Sequence, residues 1–322
     1  MERSHHRSFP SRPRIIFMGT PQFAVPTLER MIREGYELVG VVTQPDRPKG
    51  RGRKLASPPV KRVAQEHNLT VFQPERLDNR FLQAIHPLQL DLLVVVAFGQ
   101  IIPEAVLNAA LWGGINIHAS LLPRYRGSAP IQWAIINNEA ATGITTMFMD
   151  EGLDTGPILL QEEVDIKEGE TAGELHDRLA ALAPDLLIRT LKGLAEGTVS
   201  PVVQDDSLAT YTSRLTKEQG IIDWSLPGSR ICGLIKGLDP WPGASTYYQG
   251  RALKLFGCLV GANSRKHETP GRVKGVTGKG LEIETGAGTV IVREFQLPGK
   301  TRMPAGDFIR GIRISQGSIL GK

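Results

Sequence analysis

An open α/β sheet followed by a small β-barrel is the architecture that this 322-residue sequence predicts, and three observations carry it. The N-terminal half contains a series of short apolar, β-rich runs, the pattern of strands buried on both faces of a parallel sheet. The segments between those runs can hold helices. In the last third the pattern changes to short alternating runs punctuated by glycine, which favours a small barrel.

The elements follow in order. Residues 1–13, "MERSHHRSFPSRP", are polar and slightly basic, lack the apolar core of a secretory leader, and read as a disordered tail. "RIIFMG" (14–19), "ELVGVVT" (37–43) and "DLLVVVA" (91–97) are the first strands; "INIH" (115–118) and "GITTMFM" (143–149) extend the series, with a helix over "APIQWAIINNEA" (129–140) between them. The turn after the first strand, "MGTPQFA" (18–24), lacks GxGxxG, which counts against a nicotinamide dinucleotide. From 171 a long stretch repeats apolar residues at helical spacing. Little periodicity at the start of 202–224 marks an interdomain connection. The expected division is a tail over 1–13, an α/β domain over 14–201, a linker over 202–223 and a β domain over 224–322.

Composition narrows the class. A hydrophobic content of 41% suits a globular protein, and no apolar stretch is long enough to cross a bilayer. The only cysteines are Cys232 and Cys258, without a CxxC pair, so no disulfide framework is expected and a reducing, cytoplasmic setting fits best. The net charge of +5 hides an asymmetry: residues 14–206 hold 18 Lys/Arg against 24 Asp/Glu, a net of −6, whereas residues 224–322 hold 15 against 6, a net of +9. A basic tail domain on an acidic body points to a polyanionic partner.

Three stretches carry chemistry. In "INIHASLLPRYRG" (115–127), Asn116 and His118 are two apart in a strand and so share a face, at the strand end where open α/β sheets bind ligands. An amide N–H and an imidazole together can hold a carbonyl oxygen as it becomes an oxyanion. In "MDEGLDTGPIL" (149–159) a carboxylate can stand beside that pair and receive protons, although Asp150, Glu151 and Asp154 are all ordinary turn residues and spacing does not choose among them. In "QPDRPKGRGRKLASPPVKR" (44–62) there are seven Lys/Arg and no acid from Arg47 onward, with Gly and Pro arguing against regular structure over its first part; such a loop suits phosphates. His5, His6, His67, His86, His176 and His267 show no metal-ligand spacing, so no metal site is expected. Trp224 and Trp241 read as core or hinge packing rather than base-stacking platforms.

These stretches, with "FMGTPQFA", "IDWS" and "DPWPGA", resemble the bacterial methionyl-tRNA formyltransferase family, from about residue 14 into the C-terminal domain. The resemblance implies a Rossmann-like sheet of mostly parallel strands followed by an OB-like barrel that binds tRNA. It implies transfer of a formyl group from 10-formyltetrahydrofolate to the α-amine of initiator methionyl-tRNA, with Asn116, His118 and Asp154 as the catalytic trio. Ser120, Leu121, Leu122 and Pro123 would line the folate site, together with Phe98, Gly99 and Ile101 of "AFGQIIP". Many relatives have Tyr where this chain has Phe98. Arg47, Lys49, Arg51, Arg53 and Lys54 would enter the acceptor-stem end of the tRNA. No metal and no membrane partner are expected, and the chain is expected to act as a monomer. A small-amine acceptor, or a noncatalytic RNA-binding role, are the competing readings; the first leaves the +9 domain and the Arg-Gly loop without a purpose.

Overall fold

The computed structural model describes residues 8–49, 54–261, 266–312 and 314–321. They form two compact units. One comprises 1–126, 143–163 and 176–211; the other comprises 127–142, 164–175 and 212–322. These units cut across the expected division at 201, because the segments 127–142 and 164–175 group with the C-terminal residues.

The first unit is built on a seven-stranded sheet, in the order Ile158–Asp165, Ala141–Phe148, Gly114–His118, Leu92–Val96, Arg14–Gly19, Glu37–Val42, Val71–Phe72. The ladders from Gly114–His118 through to Val71–Phe72 are parallel, and Ala141–Phe148 joins antiparallel. Continuous apolar runs do form strands buried on both faces: Leu92–Val96 is buried at every position, and Ile15 to Met18 have no exposed surface. The chain builds outward from Arg14–Gly19 on one side, then returns to build on the other. The strand order therefore reverses between Arg14–Gly19 and Leu92–Val96, and the crevice beyond the C-terminal strand ends at such a switch is where open sheets hold ligands.

Two stretches depart from expectation in this unit. Within the expected disordered tail, Phe9 is buried with its ring 5.3 Å from that of Trp112. Residues 202–211, expected as the start of a linker, are bonded into the unit: Val202 and Ile158 exchange backbone hydrogen bonds of 2.8 Å each way.

In the second unit an antiparallel sheet runs Ala244–Tyr248, Arg251–Val260, Thr289–Gln296, Gly280–Glu284, Val273–Thr277, with Met303–Pro304 paired to Thr289–Gln296. Among the described residues no ladder joins its two end strands, so the pairing is that of an open sheet. Its core stacks Phe295 on Phe308 with ring centres 4.9 Å apart. Trp224 is buried there, as expected, and donates from Nε1 to Thr246 Oγ1 at 2.9 Å; Trp241 corrects the same expectation, being 58% exposed. The two cysteines correct another. Cys232, on the helix Gly228–Gly237, is bonded to Cys258 on Arg251–Val260, with Cα atoms 5.2 Å apart. Packing of that helix on the strand brings them together across 26 residues, a proximity that spacing does not encode. Among the described residues no helix is long and apolar enough to cross a membrane.

Candidate active site

Asn116 and His118 occupy alternate positions of Gly114–His118, a central strand with Leu92–Val96 parallel on one side and Ala141–Phe148 antiparallel on the other. Alternate positions share a face, and backbone pairing on both sides leaves neither residue free to rotate away. Asn116 is half-buried and His118 is 6% exposed.

The structure chooses among the three acids. Asp150 Oδ1 accepts from the Gly152 amide at 3.0 Å and from Thr155 Oγ1 at 2.7 Å, so it shapes its own turn. Glu151 is exposed. Asp154 instead reaches the strand end: its Oδ1 accepts from Asn116 Nδ2 at 3.4 Å, and its Oδ2 lies 3.6 Å from His118 Nδ1. It does so from left-handed backbone, φ 56°, a conformation uncommon outside glycine. Gly156 permits the turn to close, because a Cβ there would lie 1.8 Å from the Phe148 carbonyl oxygen.

The hydrogen on the imidazole is placed by its neighbours. His118 Nε2 lies 2.9 Å from the carbonyl oxygen of Tyr125, which can only accept, so Nε2 carries a hydrogen. Nδ1 is then the nitrogen that faces the carboxylate of Asp154. One neutral amide, one imidazole and one carboxylate thus meet at a strand end, a set able to bind a developing oxyanion and to take up a proton.

The turn "SLLP" is held by two residues that sequence reading did not single out. Thr145 Oγ1 donates to the Ser120 carbonyl at 2.7 Å and accepts from the Leu122 amide at 3.2 Å. Gln161 Nε2 donates to the Leu122 carbonyl at 2.9 Å. Both project from neighbouring strands, and a Thr or Gln in a strand carries no signal of such a partner. Ser120 and Leu122 are buried, and Leu121 and Pro123 are half-buried. The expected wall at 97–103 follows Leu92–Val96, the adjacent parallel strand, so it lies on the same rim. Its members do not point alike: the Phe98 ring is buried, while its carbonyl accepts from Thr20 Oγ1 at 2.8 Å; Gly99 has φ 89°, and Ile101 is 91% exposed.

The basic loop corrects the expectation of irregular structure. Arg47–Lys49 pairs antiparallel with Lys54–Ala56, and Pro48 is tolerated because this two-stranded ribbon is edge on both sides. Arg47 is exposed, the side chains of Lys49 and Lys54 are not described, and Arg51 and Arg53 lie outside the described residues. At its base Asp46 accepts from Lys61 Nζ at 2.8 and 2.9 Å and from Gln73 Nε2 at 2.8 Å. The bond from Lys61, and then that from Gln73, hold the Asp46 carboxyl below its ordinary range. Among the described residues no group of three His, Cys, Asp or Glu could hold a metal ion.

Residues 13–191 match the family described as Formyl transferase, and residues 214–313 match Formyl transferase, C-terminal domain. The chain is 50% identical to the methionyl-tRNA formyltransferase of Pelobacter propionicus, covering 95% of this chain and 96% of that one. It is 48% identical to the methionyl-tRNA formyltransferase of Clostridium novyi, over 95% and 99%. Among solved structures, an N-formyltransferase from Helicobacter canadensis has the same fold with a TM-score of 0.67 at 18% identity, over 87% of this chain and 98% of that one. HypX from Aquifex aeolicus gives 0.64 at 17% identity over 93% of this chain, which spans 48% of the HypX chain.

Proposed function

This chain belongs to the methionyl-tRNA formyltransferase family, and from that membership we propose that it transfers the formyl group of 10-formyltetrahydrofolate to the α-amine of initiator methionyl-tRNA, for translation initiation. The observation that carries the chemistry is the meeting of Asn116, His118 and Asp154 at one strand end. The neutral methionyl amine adds to the formyl carbon, forming the new C–N bond and placing negative charge on the formyl oxygen. Asn116 Nδ2–H, and His118 Nδ1–H when that nitrogen is protonated, donate to this oxyanion. Asp154 takes the proton that the amine loses and, directly or through water, returns it to N10 as the C–N10 bond breaks. Formylmethionyl-tRNA and tetrahydrofolate leave.

In this reading Ser120–Pro123 and the backbone of Phe98–Ile101 line the folate site. The net charge of +9 over residues 224–322, in a domain of OB type, and the basic hairpin grip the phosphates of the tRNA, with Arg47, Lys49, Arg51, Arg53 and Lys54 at the acceptor end. The protein acts as a monomer and needs no metal.

The test supplies 10-formyltetrahydrofolate with charged initiator tRNA, and separately with small amines such as an aminosugar nucleotide, and weighs the products. A formyl gain on methionyl-tRNA alone is expected. A gain on a small amine, with methionyl-tRNA unchanged, would overturn the assignment.

A further inference from the structure

We propose that Gln204 and Arg126 are positioning residues for Asp154, and that the strap 202–211 is a working part of the catalytic unit. The inference rests on the formyl-transfer reading above.

Arg126 has the largest fully buried side chain in the described structure, 1% exposed. Filling a core with a guanidinium carries a desolvation cost that an apolar side chain of similar volume does not. Its carboxylate partner, Asp206, at 2.7 Å from Nη2, has a side chain 82% exposed, where solvent weakens the pair. Burial works against the charge of Arg126, and its bonds to Asp206 and Tyr211 outweigh that effect, so the group stays firmly protonated. The feature that distinguishes the arrangement is what the cation holds. Nε and Nη2 both donate to one atom, Gln204 Oε1, at 3.0 and 2.9 Å.

That contact fixes which way the Gln204 amide faces. An arginine only donates, so the carbonyl end of the amide must point to it and the NH₂ end must point away. The NH₂ end meets the backbone carbonyls of Asp154, at 2.9 Å, and Gly156, at 2.7 Å. Gln204 therefore clamps the turn at Asp154 itself and two residues beyond, where Asp154 sits in left-handed backbone that local preference does not favour.

The same strap reaches the other neighbour of the imidazole. Thr210 Oγ1 accepts from the Tyr125 amide at 2.8 Å, and the Thr210 carbonyl accepts from the Arg126 amide at 2.8 Å. Tyr125 is the residue whose carbonyl receives His118 Nε2. Both groups that face the His118 ring, one at each nitrogen, are thus tied to residues 204–210. An apolar pair at 126 and 204 would fill the space but could hold neither carbonyl.

The decisive variant is Gln204→Glu in the full chain. It keeps an oxygen for Arg126 and turns a second oxygen, in place of the NH₂, towards the two carbonyls. Displacement of Asp154 should lower kcat on the order of a hundred-fold, the usual cost of about an ångström of misplacement. KM for methionyl-tRNA and for the folate should change little, and the pH–rate profile should come to match that of Asp154→Asn. Should Gln204→Glu not accumulate as folded protein, Gln204→Met, of similar length and without charge, carries the same expectation. A folded variant with kcat and pH profile unchanged overturns the proposal. So does a lower melting temperature with unchanged kcat per folded molecule, since that is a structural role alone. Absence of transfer by the wild-type chain overturns the function itself, and the positioning role with it.

Discussion

The strand end at Asn116 and His118 and the basic ribbon of Arg47–Lys49 with Lys54–Ala56 both stand at the C-terminal ends of strands in one parallel ladder, yet they are built in opposite ways. At the first, the described neighbours of His118 are themselves hydrogen-bonded: Tyr125 to Thr210, and Asp154 to Gln204. At the second, charge accumulates on a two-stranded ribbon anchored at its base through Asp46. On the proposed function the contrast separates two physical tasks. Stabilising charge that appears in a transition state requires donors fixed in direction before the reaction begins. Gripping a polyanion requires positive charge within reach of many phosphates, and direction matters less.

The largest effect is expected at the fixed end. Asp154→Asn keeps the size of the side chain and removes the proton acceptor beside His118 Nδ1, so kcat should fall by about 10²–10⁴, the range for loss of a general base. Binding of methionyl-tRNA should be nearly unchanged, as measured by filter retention of the labelled tRNA. A parallel fall in affinity would mean that this site, too, works by grip.

Neutralising the hairpin should show the reverse. With Arg51→Ala and Arg53→Ala together, transfer at saturating tRNA should be little changed. The slope of log affinity against log salt should become shallower by about one unit for each phosphate that is no longer neutralised, and initiator and elongator tRNAs should be less well distinguished. Equal discrimination and an unchanged slope would leave the hairpin as a passive ribbon.

The smallest effect belongs to Asp46→Asn. The Asp46 carboxyl lies below its ordinary value of 3.8 because the folded state favours its charged form. Its anchoring is therefore fully present above that value and is lost as pH falls through the lowered one. The melting temperature of wild type should exceed that of Asp46→Asn by a small margin that is constant at neutral pH and closes only in acid. A margin that grew as pH fell would reverse the sign and remove Asp46 as the anchor.

What was legible in the sequence follows the same division. Asn116 and His118 could be read because two positions along a strand is enough to place them on one face, and the apolar run before them marks the strand. The basic loop could be read because charge is counted along the chain. Asp154 could not be separated from Asp150 by spacing, since the difference lies in Asp150 bonding Gly152 and Thr155 while Asp154 turns to the strand end. Gln204 meets Gly156 across 48 residues and Arg126 across 78, and no periodicity links such positions. The pairing of Cys232 with Cys258, and the inclusion of 202–211 in the first unit, are tertiary proximities of the same kind.

The measurement closest to the centre of this account is single-turnover formyl transfer to charged initiator tRNA by Asn116→Ala and His118→Ala, with tRNA binding followed on the same samples. Loss of one oxyanion donor should slow transfer by about a hundred- to a thousand-fold while the tRNA dissociation constant stays near that of wild type. Transfer at the wild-type rate in either variant would contradict the assignment of the strand end as the catalytic centre.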